Sequence, residues 1–357
     1  MKKSLIALAV LAASGAAMAQ SSVTAFGVVD TGVGRISNSG GNSVTGVTTG
    51  GNATSRLGFR GVEDLGGGLK AGFWLEGGIR SDVGDGNSGG ASGTGFEFKR
   101  RATVSLLGNF GEVRLGRDFL ASYTTLSSYD PFGDNGFGAT FQYNKTGGFE
   151  NRKANTVSYF LPENLGGFFG QVQFIAGENT NGTFGKGNGY SVALGYKNGP
   201  LSISGGASKL NDGHLVTNAT GVGSSADSDT YNIGASYDLG VVKISGVWNQ
   251  EKLKTPTEVK FSSYLVGLSA PLGGGVLKLS YQDLNNKTFG ASQNDATKIS
   301  LGYVYDLSKR TALYGTYARI SNDGAATYSI GNGGLSAGNP GVGRNSTGYE
   351  FGIRHAF

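Results

Sequence analysis

Basic side chains recur at three places in strand-like runs. In Thr54–Asp64 (TSRLGFRGVED), Arg56 and Arg60 share a side with Gly58, opposite Leu57 and Phe59, so both point into water. Lys99, Arg100 and Arg101 form a contiguous triplet, and Arg152 and Lys153 form a pair. Strict alternation with Ala102, Val104 and Leu106 on the apolar side places Lys99 and Arg101 on the wet side. The same rule, with Val157 and Tyr159 on the apolar side, selects Arg152 over Lys153. Cations of this kind attract anions without reacting with them. One cation ~6 Å from an anion contributes ~0.7 kcal/mol at a dielectric of 80 and ~2.8 kcal/mol at 20. A few such groups, offset by nearby acids, bias entry by roughly tenfold yet permit exit, and salt screens them.

Covalent chemistry is poorly provided for. The two histidines are His214, in a predicted loop, and His355, on the apolar face of the last strand. Neither has an evident Ser or Asp partner, and no strand spaces two carboxylates as acid and base, so no catalytic residue is assigned. Gly331–Gly334 lacks the Lys-Ser/Thr of a phosphate loop and the strand–helix setting of a dinucleotide site. There is no cysteine, which excludes disulfides and Cys-type zinc sites. No cofactor or metal is expected. The net charge of +5 is mild and shows no basic stripe with a recognisable module, so nucleic acid is not an expected partner.

The elements that carry the cations are short and amphipathic. Leu69–Arg80 (LKAGFWLEGGIR) sets Leu69, Ala71, Phe73 and Leu75 against Lys70, Gly72, Trp74 and Glu76. Lys298–Asp306 and Thr311–Ile320 repeat the pattern, and the closing Ser346–Phe357 (STGYEFGIRHAF) puts Tyr349, Phe351, Ile353, His355 and Phe357 on one side. Two-fold alternation of this kind marks strands that meet different solvents on their two faces. The chain holds 65 Gly and 6 Pro, but no G-x-y period; its 20 Phe and 16 Tyr also argue against disorder. Lys2 and Lys3, the apolar run Leu5–Ala13 and Ala17-Met18-Ala19 read as a signal peptide over 1–19, leaving 20–357 as the mature unit. No other run approaches the ~18 apolar residues of a spanning helix.

Tight turns are expected at Glu63–Gly68, Gly108–Gly111, Pro162–Gly167, Lys197–Pro200, Asp238–Gly240, Pro271–Gly275 and Asp306–Arg310. Long links are expected at Ser37–Ala53, Ser81–Gly95, Asp118–Asn151, Asn179–Gly187, Asn211–Asp229, Leu253–Val259, Thr288–Ala296 and Asn322–Ser346. These connections join sixteen strands, short on one side and long on the other, as in transmembrane barrels. The fold class is therefore all-β: a transmembrane antiparallel β-barrel of about 16 strands, the first (Ser22–Ile36) pairing with the last so that no edge is left. A soluble sandwich of this length would need linkers between domains, and a solenoid would need a fixed repeat; neither is present.

Gln20–Asp30 (QSSVTAFGVVD), Ser55–Gly66 (SRLGFRGVEDLG), Leu106–Arg117 (LLGNFGEVRLGR), Tyr129–Gly133 (YDPFG) and the closing GIRHAF resemble the general diffusion porins of Gram-negative β-proteobacteria. The resemblance spans essentially the whole chain after residue 19. It implies a homotrimer in the outer membrane that passes small hydrophilic solutes passively. It further implies a third loop folded into the lumen and, in several members, preference for anions. That loop is Asp118–Asn151, with Tyr123, Tyr129, Phe132, Phe137, Phe141 and Tyr143 among its aromatics and Asp118, Asp130 and Asp134 as acids that either oppose the cationic wall or pin the loop. An external lid is the alternative reading of so long a connection.

For the basic pairs the resemblance favours Arg100, which would need a bulge, and Lys153. Lipid-facing Arg costs only ~0–1 kcal/mol near an interface, so alternation alone leaves both choices open. The cations have a second reading: solvation of the lumen, or lipopolysaccharide phosphates at the rim. Phe357 resembles the terminal signal read by the barrel-insertion machinery. Phe73, Tyr159, Tyr349 and Phe357 are expected in interfacial girdles, and outward Ala25, Gly27 and Val29 of the first strand fit a trimer contact. Two rivals are a solute-specific channel, for which Trp74 and Trp248 are too few to build an aromatic ladder, and a plugged structural or adhesive barrel.

Overall fold

The computed structural model describes residues 22–86, 95–140, 151–178, 187–217, 223–256, 258–288, 294–332 and 334–357, with backbone alone for 22, 212–217, 223–225 and 332. The expected signal peptide and the loop aromatics Phe141 and Tyr143 lie outside the described residues. Sixteen strands form the wall. They are β1 Ser22–Asn38, β2 Arg56–Gly66, β3 Leu69–Arg80, β4 Arg101–Gly108, β5 Gly111–Phe119, β6 Arg152–Phe160, β7 Phe168–Ile175 and β8 Gly189–Asn198. The second half comprises β9 Leu201–Thr217, β10 Gly223–Asp238, β11 Lys243–Lys254, β12 Val259–Leu272, β13 Gly275–Asn286, β14 Ala296–Asp306, β15 Thr311–Asn322 and β16 Ser346–Ala356. Each is antiparallel to its neighbours.

The sheet closes on itself. Val28–Asn38 of β1 pairs with β16, and Ser22–Val28 pairs with β2 along the other edge. Phe357 completes the seam: its N–H donates to Gly27 O (3.0 Å) and its carbonyl accepts from Gly27 N (3.1 Å). Closure satisfies the wall's backbone without an edge, which hydrocarbon demands. No helix among the described residues is long and apolar enough to cross a membrane; the strands do the crossing.

Alternation follows the expected faces. On β8, Tyr190, Val192 and Leu194 are exposed outward, whereas Ser191, Ala193 and Gly195 are buried inward. The girdle aromatics Phe73, Tyr349 and Phe357 are exposed, and Tyr159 is half-buried with its hydroxyl donating to Phe110 O (2.6 Å). Gly27 departs from its expected exposure. It is buried beneath the Phe357 ring, whose Cζ would lie 2.3 Å from any Cβ placed there.

Three predicted links hold the longer regular elements among the described residues, beside two-residue strands in Ser81–Gly95 and Asn322–Ser346. Ser43–Thr49, inside Ser37–Ala53, is a strand that folds back on Thr31–Ser37. Asn211–Asp229 is largely an extension of the β9–β10 ladder with a register shift between Leu210 and His214, so His214 lies on a strand, not in a loop. Asp118–Asn151 starts on β5 and then forms helix α1, Ala121–Ser128. Short apolar-polar periods gave no sign of that eight-residue helix: Thr124, Thr125, Ser127 and Ser128 return their hydroxyls to carbonyls of the preceding turn, while Ser122 pairs with Ser208 of the wall.

Candidate functional site

The site has two sides, and the loop is one of them. Helix α1 lies against β7–β11. Ala121 N donates to Gln173 Oε1 (2.8 Å), Ser122 Oγ pairs with Ser208 Oγ (2.6 Å), and Asn232 Nδ2 donates to Ser122 O (2.8 Å). The chain then runs round the inner wall. Tyr129 covers Gly234, Pro131 covers Gly267, Phe132 covers Gly302, and Phe137 covers Gly34 and Gly348. Each glycine leaves room where a Cβ would meet a loop side chain. The loop is thus inside the barrel, as the resemblance implied, and not an external lid.

The tip is tied to β16 and to the first loop. Phe137 N donates to Glu350 Oε1 (2.6 Å), and Thr54 N donates to Asn135 Oδ1 (2.8 Å). Asp30 holds that first loop in turn, accepting from Asn52 N (2.9 Å), Ala53 N (2.7 Å) and the Tyr314 hydroxyl (2.6 Å).

Of the two roles open to the acids, pinning is what the geometry displays. Asp130 is buried and accepts from the N–H groups of Phe132, Asp134 and Thr140, each at 2.9 Å. Burial raises its pKa, opposed by those amides. Asp134 sits at φ 57° and accepts from the Tyr123 hydroxyl at 2.5 Å. Burial pushes its carboxyl up to about 6, with the Tyr123 bond opposing. Phe132 is buried in the loop with Lys278 Nζ 5.7 Å from its ring. Lys298 Nζ donates to Ala139 O (2.6 Å), a further tie the sequence did not suggest.

The other side is the inner face of β1–β6. Glu76 is its hub: Arg100 Nε donates to Glu76 Oε1 at 2.6 Å, Arg56 Nε lies 3.9 Å away, and Trp74 Nε1 donates to Oε2 at 3.1 Å. Asp118 belongs to this wall and not to the loop. It accepts from Arg114 Nη1 (2.6 Å) and lies 3.8 Å from Arg101 Nε. Glu112 is held by Arg114 (2.8 and 3.0 Å) and Ser105 (2.6 Å). Aromatic rings back the guanidinium groups. Arg101 lies 4.6 Å from Trp74, Arg60 is 5.2 Å from Phe26 and 5.1 Å from Trp74, Arg114 is 4.0 Å from Phe160, and Arg152 is 3.7 Å from Phe119.

Both ambiguous basic pairs resolve in the same way: neither member is excluded. Arg101 is the first residue of β4 and faces inward with Thr103, to which its Nε donates (3.0 Å). Arg100 precedes the strand, where irregular backbone lets it reach Glu76 with no bulge. Lys99 is paired with Glu97 and half exposed.

A bulge does occur at the second pair. Gly116 pairs with Thr156 but Asp118 pairs with Lys153, and Asn155 takes φ 57°. The extra residue resets the alternation and sets Lys153 opposite inward Asp118, while Arg152 packs on Phe119 at the root of the loop. Sequence reasoning missed Arg114, although it shares parity with Glu112 and Gly116. It also missed Phe26 and Glu76 as parts of the cluster. Trp248 is exposed outward and contributes nothing to the lumen.

A closed barrel with an apolar exterior, a polar lumen narrowed by an inward loop, and a cationic wall facing that loop defines an outer-membrane diffusion channel. The comparisons agree. The family model described as Gram-negative porin matches residues 5–325. The chain is 48% identical to outer membrane porin protein 32 of Delftia acidovorans, with all of both chains covered. It is 33% identical to an outer membrane porin protein of Bordetella pertussis, over 89% of this chain and 94% of the relative. A solved structure titled anion-selective porin from Comamonas acidovorans superposes with a TM-score of 0.83 at 42% identity, over 95% of this chain and 100% of that one. The chain belongs to the Gram-negative porin family, and forms a passive channel in the outer membrane.

Proposed function

We propose that this channel prefers small anions, weakly, among the ions and hydrophilic solutes it passes, with no covalent step. The observation that carries this is the composition of the β1–β6 cluster. There Arg56, Arg60, Arg100, Arg101, Arg114, Arg152 and Lys153 are set against Glu76, Glu112 and Asp118, an excess of positive charge. Counting Asp130 and Asp134 of the loop as charged as well still leaves these seven cations against five acids. A solved relative titled anion-selective supports the same sign.

Mechanistically, the net excess of a few positive charges lowers the energy of a passing anion by a few kcal/mol, at ~0.7 kcal/mol for each in the water-filled lumen. That is enough to bias occupancy and too little to trap the ion. The reversal potential across a tenfold KCl gradient tests the reading: an anion-selective sign is expected, and a cation-selective one overturns it.

Three further elements belong to the same proposal. The Ala17-Met18-Ala19 motif supports cleavage before Gln20. The family resemblance supports a homotrimer, with lipopolysaccharide at the rim. The outward, seam-closing position of Phe357 supports its recognition by the barrel-insertion machinery.

A further inference from the structure

We infer that the cavity between helix α1 and the short-turn end of β3–β8 is a binding subsite for uncharged, ring-shaped polyhydroxy solutes of monosaccharide size. The inference goes beyond the anion preference and does not rest on it.

The cavity measures about 690 Å³, a size that holds a small organic solute. One cross-strand row of inward positions runs along it. Lys70, Leu107, Glu112, Phe160, Gln171 and Ala193 are successive register partners from β3 to β8. A site built on adjacent strands is held more rigidly than one built on loops. Thr124, Thr125 and Ser128 of α1 line the loop side, and Asn109, Glu163 and Asn164 of two short turns line the other end. The charges do not favour an anion. Lys70 stands against Glu112 and Glu163, and no arginine lines the cavity among the described residues. Glu112 is itself engaged by Arg114 and Ser105.

Phe169 is the side chain that ion conduction leaves without a role. It shares the inward face of β7 with Gln171, opposite Phe168 and Val172, and its ring is 41% exposed in the lumen. Gly195, its register partner, makes room for it: a Cβ there would lie 2.3 Å from Phe169 Cζ. An apolar ring kept open to water on a polar wall gains by covering the apolar face of a solute ring. Gln171, two residues on, is only 8% exposed, and its Nε2 has no hydrogen-bond partner among the described residues. A buried donor left unpaired is costly, and a solute hydroxyl supplies the acceptor it lacks. The hydroxyls of Thr124 and Ser128 donate to Ala121 O (2.7 Å) and Thr124 O (2.6 Å), so their oxygens remain free to accept from solute hydroxyls. Donors and acceptors thus flank an exposed ring. A solute with apolar faces and hydroxylated edges matches that arrangement, whereas a compact ion matches neither part.

The test is KCl current through reconstituted channels, normalised to bulk conductivity, with D-glucose added in one arm and sorbitol in the other. Saturable inhibition by glucose is expected, and weaker inhibition by sorbitol, which carries hydroxyls but no ring face. Phe169→Ala removes the stacking face and should raise the half-inhibiting glucose concentration about tenfold. Gln171→Ala removes one donor and should raise it about fivefold. Phe169→Tyr keeps the ring and should retain wild-type inhibition. Inhibition that merely follows bulk conductivity overturns the subsite. So does a half-inhibiting concentration unmoved in either alanine variant, or sorbitol inhibiting as tightly as glucose. The KCl reversal potential on the same channels separates the two readings. A cation-selective sign sinks the anion preference and leaves the subsite standing, whereas an anion-selective sign with unsaturable glucose inhibition sinks the subsite alone.

Discussion

The inner faces of the two halves of this barrel obey one strand period and do opposite things with it. Along β1–β6 the inward positions carry long cations and their aromatic supports, among them Arg56, Arg60, Trp74, Arg101 and Arg114. From β9 to β16 the inward positions include Gly206, Gly234, Gly267, Gly302 and Gly348, which receive Ser122, Tyr129, Pro131, Phe132 and Phe137 of the loop region. One half is shaped to meet solute, the other to meet the loop. The lesson is that a channel's asymmetry is set by side-chain volume at equivalent positions: removing Cβ from one wall moves the loop toward it and leaves the opposite wall to line the passage.

Reversing that volume pattern should break the comparison most severely. Gly234→Val places methyl groups where a Cβ alone would stand 2.2 Å from the Tyr129 ring. Overpacking of this kind costs about 1–3 kcal/mol. Single-channel conductance should change and the thermal unfolding temperature should fall; a variant with wild-type conductance and stability would show that the glycine wall does not hold the loop.

Charge on the opposite wall is the next lever. Arg100→Glu replaces a cation with an anion beside Glu76. At ~0.7 kcal/mol for each unit of charge ~6 Å from the ion, an anion is disfavoured and a cation favoured by ~1.4 kcal/mol each, so the anion-to-cation permeability ratio should drop by up to about a hundredfold. Glu76→Gln should raise the same ratio by up to about tenfold, because it removes one negative charge and frees Arg100 and Arg56 from their shared carboxylate. Both are read from reversal potentials, and equal shifts of the same sign would contradict the hub.

The mildest probe sharpens the loop side. Asp134 titrates near 6 in the folded protein against an ordinary 3.8, so the folded loop binds its proton more tightly than the unfolded one. Loop stability should therefore be greatest below pH 4 and decline as the pH rises through 6. Asp130 is shifted in the same direction and adds to the slope. Hydrogen exchange over residues 121–140 should be slower at pH 5 than at pH 7, and Asp134→Asn should flatten that difference. Faster exchange at pH 5, after correction for intrinsic rates, would contradict it.

Much of the site was legible along the chain, and what escaped has identifiable causes. Arg56, Arg60 and Arg101 follow from two-fold alternation inside uninterrupted strands. Arg100 does not, because it lies one residue before β4 and reaches Glu76 through irregular backbone. Lys153 was hidden by the bulge at Asn155, since one inserted residue exchanges the faces of everything beyond it. The sequence left two roles open for the acids of the loop, and choosing between them required knowing which amides surround Asp130.

The amino-acid order alone determines that this chain makes a barrel with lipid outside and water within, because alternation is a local property that each strand expresses by itself. It also determines that cations accumulate on the wet face of the first six strands. Only the tertiary structure decides which of them are partnered, which stand free, and where the loop comes to rest. Those outcomes depend on groups far apart in the chain, such as Asn135 with Thr54 and Phe137 with Gly348. Nothing local specifies such contacts; barrel closure brings them within reach, and the absence of a few Cβ atoms leaves them room.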